Sequence, residues 1–197
     1  LLEKIKAIFL DRDGVIIKDN DLVISLSQVE VYPLVGDAIA LLRNLGYKIF
    51  LISNQTVIAR GLLSFDQTVE LNNDILKLVA KQNEQALFDD VFLCPHHPKA
   101  SLPEYRLDCE CRKPKAGMIL TAQKKYGIAL ADSIVIGDRP TDIYSGKSVG
   151  CLGIQLQNGQ ESAPLIESNL TLKSEWLIPD YTFKTLYEAA LFIKDRQ

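Results

Sequence analysis

Long apolar runs are missing from this 197-residue chain. No stretch approaches the roughly 18 consecutive apolar residues that a membrane-spanning helix needs, so no membrane partner is expected. An excess of positive charge is missing too. Lys and Arg number 22 against 25 Asp and Glu, for a formal net charge of -3. That balance argues against general affinity for nucleic acid or an anionic membrane, and a phosphorylated ligand would need a local basic cluster. There is no internal repeat and no low-complexity tract. Leu1 to Leu10 alternates and carries Glu3, Lys4 and Lys6, which reads as a first strand rather than an export signal, and points to a cytoplasmic location. Histidine is scarce, with two residues, and cysteine amounts to four. Three of those cysteines crowd beside both histidines, whereas a disulfide framework would spread them.

What is present is an ordinary core-forming composition, 47% hydrophobic and 24% charged. The length suits one domain over residues 1–197. Five short apolar runs, Ile5–Leu10, Tyr47–Ile52, Val91–Leu93, Ile134–Ile136 and Leu152–Leu156, have the near-continuous character of parallel strands covered on both faces. Between them lie helical patterns. Val35–Leu45 places Ile39, Leu42 and Leu45 on one side. Ser64–Ala86 opens with Ser64 and Gln67 at capping-box spacing and carries Val69, Ile75, Leu76 and Val79 as a stripe. Ala116–Tyr126 ends at Gly127, Pro140–Val149 begins with proline, and Thr182–Lys194 offers Phe183, Leu186, Leu191 and Ile193 for burial. This alternation predicts an α/β fold with a doubly wound, Rossmann-like parallel sheet. Asp19–Val31 reads as a hairpin or loop. Pro95–Lys115 is too long and polar for a plain connection, and Gln157–Pro179 reads as irregular surface.

The first strand runs into Asp11-Arg12-Asp13-Gly14-Val15. Ligands of open α/β sheets bind beyond the carboxyl ends of the strands, and two carboxylates two residues apart on a turning backbone can face one ligand. Strand alternation would point Arg12 away from both. One carboxylate could attack phosphorus while the other protonates the leaving oxygen and then activates water. An anionic nucleophile meeting an anionic phosphoryl group calls for a hard cation such as Mg²⁺. The plain alternative is a solvated turn. Companions at the other strand ends oppose it. Ser53-Asn54-Gln55 offers a hydroxyl and amides for phosphoryl oxygens, and Asp138, in Gly137-Asp138-Arg139-Pro140-Thr141-Asp142, is a further carboxylate for Mg²⁺. Lys113 could supply a fixed positive charge, and Arg60, Arg112 and Arg139 are candidate clamps for a distal phosphate.

The set Asp11-x-Asp13-Gly-Val, Ser53-Asn-Gln, Lys113 and Gly137-Asp138-x-x-x-Asp142 resembles the four motifs of the haloacid dehalogenase-like phosphohydrolases. The resemblance spans about four-fifths of the chain. It implies Asp11 as nucleophile, Asp13 as acid and base, and Mg²⁺ held by Asp11, the backbone carbonyl of Asp13, and Asp138. Asp142 would support the loop.

Cys94-Pro95-His96-His97-Pro98 and Cys109-Glu110-Cys111 supply four soft or borderline ligands in two tight pairs, which suits tetrahedral Zn²⁺ bound by Cys94, His96, Cys109 and Cys111. His96 is preferred to His97 on pair spacing and on resemblance. A closed four-ligand site is structural, and zinc would order a loop, about 94–113, that has little to bury. It would also stiffen Arg112 and Lys113, which follow at once. Cys151, beside an apolar strand, reads as core.

The zinc-loop signature, with Arg112-Lys113-Pro114 and Ile58-Ala59-Arg60-Gly61, resembles the branch of these phosphohydrolases that acts on D-glycero-D-manno-heptose 1,7-bisphosphate. That branch lacks a large cap domain, and this chain has no room for one after residue 14 or between residues 61 and 91. The resemblance implies a small phosphorylated sugar as the substrate; the chain itself is expected to be a monomer. The related histidinol-phosphate phosphatases share the motifs, but three distal arginines favour a bisphosphate. Asp19-Asn20-Asp21-Leu22 occupies the substrate loop without the branch's usual His-Gly-Tyr, and Thr56-Val57 stands where Ser-Gly is usual. Two other readings compete: a non-catalytic zinc module, opposed by the intact acid set, and a nucleic-acid 3′ phosphatase, opposed by the lack of a basic stripe with interleaved aromatics.

Overall fold

In the computed structural model, which describes residues 4–157 and 172–196, the apolar runs become adjacent strands of one sheet. The strands are Ala7–Leu10 (β1), Lys48–Asn54 (β2), Asp90–Cys94 (β3), Ile134–Gly137 (β4), Leu152–Leu156 (β5) and Tyr181–Phe183 (β6). They pair in parallel in the order β3-β2-β1-β4-β5-β6. The chain builds from the centre to one edge and then returns past β1 to build toward the other. The crevice where the order reverses is the ligand position of such sheets.

Helices cover both faces: Val35–Asn44 (α1), Thr56–Ala59 (α2), Phe65–Gln82 (α3), Gly117–Tyr126 (α4), Pro140–Lys147 (α5) and Leu186–Lys194 (α6). The pleat divides β1 between two cores. Ile8 and Leu10 pack with Ile39, Leu42, Ile75, Val79 and Ile193, while Ala7 and Phe9 pack with Phe50, Met118, Ile119 and Val135. All four residues of β1 are fully buried, which is why its sequence is apolar without a break. Leu10 stands level with Leu51 of β2 and Ile136 of β4, so the residues that follow these strands emerge together.

Several boundaries differ from expectation. The residues around 182 form β6 rather than the start of the last helix, which begins at Leu186 under Thr185, whose hydroxyl accepts from the Glu188 N–H. Leu191 is exposed, at 38%. The third helix keeps its Ser64–Gln67 capping box but stops at Gln82, because Asn83 takes an extended backbone and its side chain caps the Gln85 N–H and donates to Asp37. Its buried face is Thr68, Leu71, Asn72, Ile75 and Val79 rather than a stripe including Val69 and Leu76. A four-residue helix, α2, follows β2 directly. Asp19–Val31 is a flap, closed at its base by the Ile17–Val31 antiparallel bridge and containing a 3-10 turn at Leu26–Gln28. Of the 157–179 segment, residues 158–171 lie outside the described residues; Ser174–Leu177 is a 3-10 turn, with Trp176 edge-on to Tyr144 of α5. No helix among the described residues is long and apolar enough to cross a membrane.

Candidate active site

The parallel register of β1, β2 and β4 brings Asp11, Ser53 and Asp138 to one edge of the sheet. Asp11 is seated there by its own N–H, which donates to the Ile136 carbonyl at 3.0 Å. Beyond Asp11 the chain turns tightly. The Arg12 carbonyl accepts from Ile16 and Ile17 at 2.9 and 3.1 Å, and Gly14 takes φ +79°. A side chain at Gly14 would strain that backbone and would place its Cβ 2.3 Å from Asp138 Oδ2, so glycine lets the two acidic loops touch. Gly137 serves the same end: a Cβ there would meet that of Asp142 at 2.2 Å.

Lys113 ties the acids together. Its ammonium lies 2.7 Å from Asp11 Oδ1 and 2.7 Å from Asp142 Oδ1, and donates to the Ile52 carbonyl at 3.1 Å. Burial works to strip the proton from Lys113, but Asp11 and Asp142 outweigh it and hold the ammonium above the usual lysine range. Burial pushes the Asp11 carboxyl up, with Lys113 pulling against it. Asp142 is saturated, since its second oxygen accepts from the Arg139 N–H at 3.0 Å. Asp138 is not: its Oδ1 is buried without a hydrogen-bond partner, and burial, then Asp142 and Asp11, raise its carboxyl to about 8. Carboxylate oxygens of Asp11, Asp138 and Asp142 lie within 4.8 Å of one another. An unsatisfied oxygen among crowded acids fits a hard divalent cation, which would supply the missing charge.

Arg12 does not point away from the acids. Its guanidinium, 2% exposed, holds both oxygens of Asp13 at 3.0 Å. Strand alternation fails as a guide here because the pleat ends at Leu10 and Arg12 already belongs to the turn. Burial raises the Asp13 carboxyl while Arg12 works to lower it. Ser53 is fully buried, and the Gln55 side chain donates to its hydroxyl at 2.8 Å.

The cleft above these groups has a volume of about 250 Å³ and is lined by Asp11, Asp13, Ser53, Asn54, Arg60, Arg112, Lys113 and Arg139, with Asp19 and Asp21 from the flap. Three residues expected to face substrate do not line it. Gln55 is 2% exposed and is turned down onto Ser53; Asn20 spends its amide on the Gln28 carbonyl at 2.8 Å, closing the flap; and Leu22 is half-buried and apart from the lining. Arg139 is ion-paired to Asp19, so flap and β4 loop are tied across the cleft. Thr56, His97, Lys115 and Thr141 also line it and were not expected to. Asn72, the anchor of Arg12 at 3.2 Å, was missed as well, though a polar residue in line with Ile75 and Val79 on a helix face was a readable signal.

The cysteine loop closes on itself beside the cleft. Cys94 Sγ lies 3.5 Å from Cys109 Sγ and 3.2 Å from Cys111 Sγ, and His96 Nδ1 lies 3.4 Å from Cys111 Sγ. The four donor atoms fall within 4.8 Å of one another, close to the edges of about 3.8 Å that tetrahedral zinc thiolate geometry requires. Hydrogen bonding to Cys94 is the chief cause that brings the Cys111 thiol down to about 5, while the same coupling pushes the Cys94 thiol up and burial pushes Cys109 up. His97 stands outside the group, its Nδ1 accepting from the Lys99 N–H. Arg112 donates to the His96 carbonyl at 2.9 Å, which links this cluster to the cleft. Cys151 is buried in the core.

The HAD-hydrolase-like family model matches residues 110–189. The chain is 40% identical over 147 residues to D-glycero-alpha-D-manno-heptose-1,7-bisphosphate 7-phosphatase of Photorhabdus laumondii, covering 75% of this chain and 79% of that protein. It is 38% identical over 151 residues to D-glycero-beta-D-manno-heptose-1,7-bisphosphate 7-phosphatase of Rhodopseudomonas palustris, covering 77% and 83%. Among solved structures, the D,D-heptose 1,7-bisphosphate phosphatase from B. bronchiseptica, complexed with magnesium and phosphate, superimposes with a TM-score of 0.80 at 26% identity, over 98% of this chain and all of that one. A parallel sheet with its acids at the switch point, a lysine between two of them and relatives of this similarity lead to one assignment: the chain belongs to the haloacid dehalogenase-like phosphatase family that includes the heptose bisphosphate 7-phosphatases.

Proposed function

We propose that the chain is a Mg²⁺-dependent phosphatase that removes the 7-phosphate of D-glycero-D-manno-heptose 1,7-bisphosphate through an aspartyl phosphate on Asp11. The observation that carries this reading is the buried set of Asp11, Lys113, Asp138 and Asp142, with one Asp138 oxygen left unsatisfied. The residues fit a magnesium ion held by Asp11, the Asp13 carbonyl and Asp138. When bound, such an ion neutralises charge between nucleophile and phosphoryl group.

Lys113 holds Asp11 Oδ1, leaving Oδ2 to attack phosphorus. As the bond from phosphorus to the sugar oxygen breaks, Asp13 gives its proton to that oxygen. Asp13 then takes a proton from water, whose oxygen attacks the same phosphorus. The bond to Asp11 breaks, inorganic phosphate leaves, and Asp11 is restored. Ser53, Asn54 and Lys113 stand where they can bind phosphoryl oxygens, and Arg60, Arg112 and Arg139 line the cleft where a second phosphate would lie. Zinc on Cys94, His96, Cys109 and Cys111 acts structurally. The chain works as one domain and as a cytoplasmic monomer.

The relatives include proteins named for either anomer, so the anomer is a matter for assay. One observation favours a second reading. Asp19 and Asp21 line the cleft, and acids there suit a substrate with a distal amine, as in histidinol phosphate. Phosphate release should be measured with both heptose bisphosphate anomers, histidinol phosphate and hexose bisphosphates in Mg²⁺, with Asp11→Asn as control. Release from a heptose bisphosphate, lost in Asp11→Asn while fold and zinc content persist, is expected. Undiminished turnover in Asp11→Asn would sink the mechanism, and preference for histidinol phosphate would move the substrate.

A further inference from the structure

Arg12 is buried, charged and unused by the steps above. Burying a guanidinium is costly unless its donors are engaged, and here three of its nitrogens are. Nε and Nη2 reach Asp13 Oδ1 at 3.2 and 3.0 Å, Nη2 also reaches Oδ2 at 3.0 Å, and Nη1 donates to Asn72 Oδ1 at 3.2 Å. Asn72 is itself fixed. It is 1% exposed and donates to the Thr68 carbonyl of α3 at 2.7 Å. At its other end the Arg12 backbone is pinned by the turn that closes on its carbonyl. The guanidinium is therefore a rigid bracket between α3 and Asp13.

The two oxygens of Asp13 are not held alike. Oδ1 accepts from two guanidinium nitrogens, whereas Oδ2 has Nη2 and a long contact of 3.5 Å from the Gln55 amide. We propose that Arg12, braced by Asn72, is the positioning residue for proton transfer: it fixes the rotation of the Asp13 carboxyl through Oδ1 and leaves Oδ2 as the oxygen that gives and takes the proton. This rests on the reading of Asp13 as acid and base. In the first step the Oδ2 proton moves to the sugar oxygen as its bond to phosphorus breaks. A carboxyl free to rotate would present that proton in the right place for only part of the time.

A merely structural ion pair and a positioning role differ in what they do to leaving groups. An alkoxide needs protonation to leave; 4-nitrophenolate does not. The value of kcat/KM reports only the steps through departure of the leaving group, before Asp13 is needed again as a base. The test compares kcat/KM on heptose 1,7-bisphosphate and on 4-nitrophenyl phosphate for Arg12→Met, Arg12→Lys, Asn72→Leu and, as reference, Asp13→Asn. Asp13→Asn should lose about 100-fold or more on the sugar beyond its loss on the aryl ester, the usual worth of a general acid. Arg12→Met should show the same selective loss at about tenfold or more, Asn72→Leu a smaller one, and Arg12→Lys a partial recovery. Equal losses on both substrates in Arg12→Met and Asn72→Leu, with Asp13→Asn still selective, overturn the proposal and leave Asp13's role standing. If Arg12→Met fails to fold, Asn72→Leu decides by the same ratio. No selectivity in Asp13→Asn overturns the acid assignment and this proposal with it.

Discussion

The side chain of Asn54 and the backbone of Lys113 exchange two hydrogen bonds, the Asn54 amide donating to the Lys113 carbonyl at 3.1 Å and its oxygen accepting from the Lys113 N–H at 3.1 Å. The last residue of β2 thus grips the loop that follows the cysteine cluster, at the very residue whose ammonium reaches Asp11. A rigid strand end, rather than the loop's own packing, sets where that charge sits.

Removing this grip should cost activity as well as stability. Asn54→Ala loses two bonds of about 1 kcal/mol each, enough for a fall in kcat of about tenfold or more if Lys113 drifts. Asn54→Asp keeps the acceptor but sets a carboxylate against the Lys113 carbonyl, and should fall further. Steady-state kinetics beside thermal unfolding checks this; an unchanged kcat in both variants contradicts it.

Zinc removal should act at a distance through Arg112. Metal analysis of the purified protein should find about one zinc per chain, as four protein ligands imply, and none in Cys109→Ser. Chelation should lower the melting temperature and weaken substrate binding, because the loop that carries Arg112 and its bond to the His96 carbonyl loses its anchor. Full affinity in zinc-free protein would show that the loop holds its shape without metal.

Asp138 should make the metal-free protein sensitive to alkali. Its carboxyl is raised from 3.8 to about 8, chiefly by burial, so the folded state binds the proton more tightly than the unfolded state. The stability it contributes is complete below pH 3.8 and is lost as pH rises through about 8. Denaturant unfolding without Mg²⁺ should show that decline. Asp138→Asn should flatten it and abolish the stabilisation that Mg²⁺ gives the parent protein. A parent curve flat between pH 5 and 8 would count against a buried carboxyl with one oxygen left unsatisfied.

Asp89 has the opposite sign. Burial works to raise its carboxyl, but Lys48, the Ile49 N–H and Arg43 together bring it below the usual range. Its bonds to them measure 2.7, 2.8 and 2.8 Å and tie the approach to β3 to the start of β2. Its stabilisation is present above the ordinary carboxylate pKa and lost as pH falls below it. Asp89→Asn should cost about 1–2 kcal/mol near neutrality and little in acid, because the pair is partly exposed and only the backbone bond is well shielded. Chemical denaturation at pH 7 and pH 3 measures the difference.

The central strands and the acids that follow them were readable because a strand buried on both faces has no polar positions, and its end is marked where polarity returns. Leu10-Asp11 and Gly137-Asp138 are such marks. Edge elements were less readable. Tyr181–Phe183 is a three-residue strand with one exposed position, and its aromatic residues suit a helix stripe as well. Thr56–Ala59 is a single turn, too short to show a period. That Asn20 and Leu22 do not line the cleft was unreadable for a related reason, since which side of a flap faces the cleft depends on how its base is paired.

By itself the sequence determined the chemistry available: the acids and hydroxyl at strand ends, the lysine, and four metal-type ligands in two pairs, since residue type and spacing along the chain specify these. Only the tertiary structure decided which groups touch. Lys113 meets Asp11 and Asp142, Arg12 turns onto Asp13, Asn54 grips Lys113, and Asp138 keeps an unsatisfied oxygen. Those relationships join residues as far apart as 102 and 127 positions, such as Asp11 to Lys113 and Asp11 to Asp138, and arise from the level register of parallel strands and the tight turns after them, which no local pattern encodes.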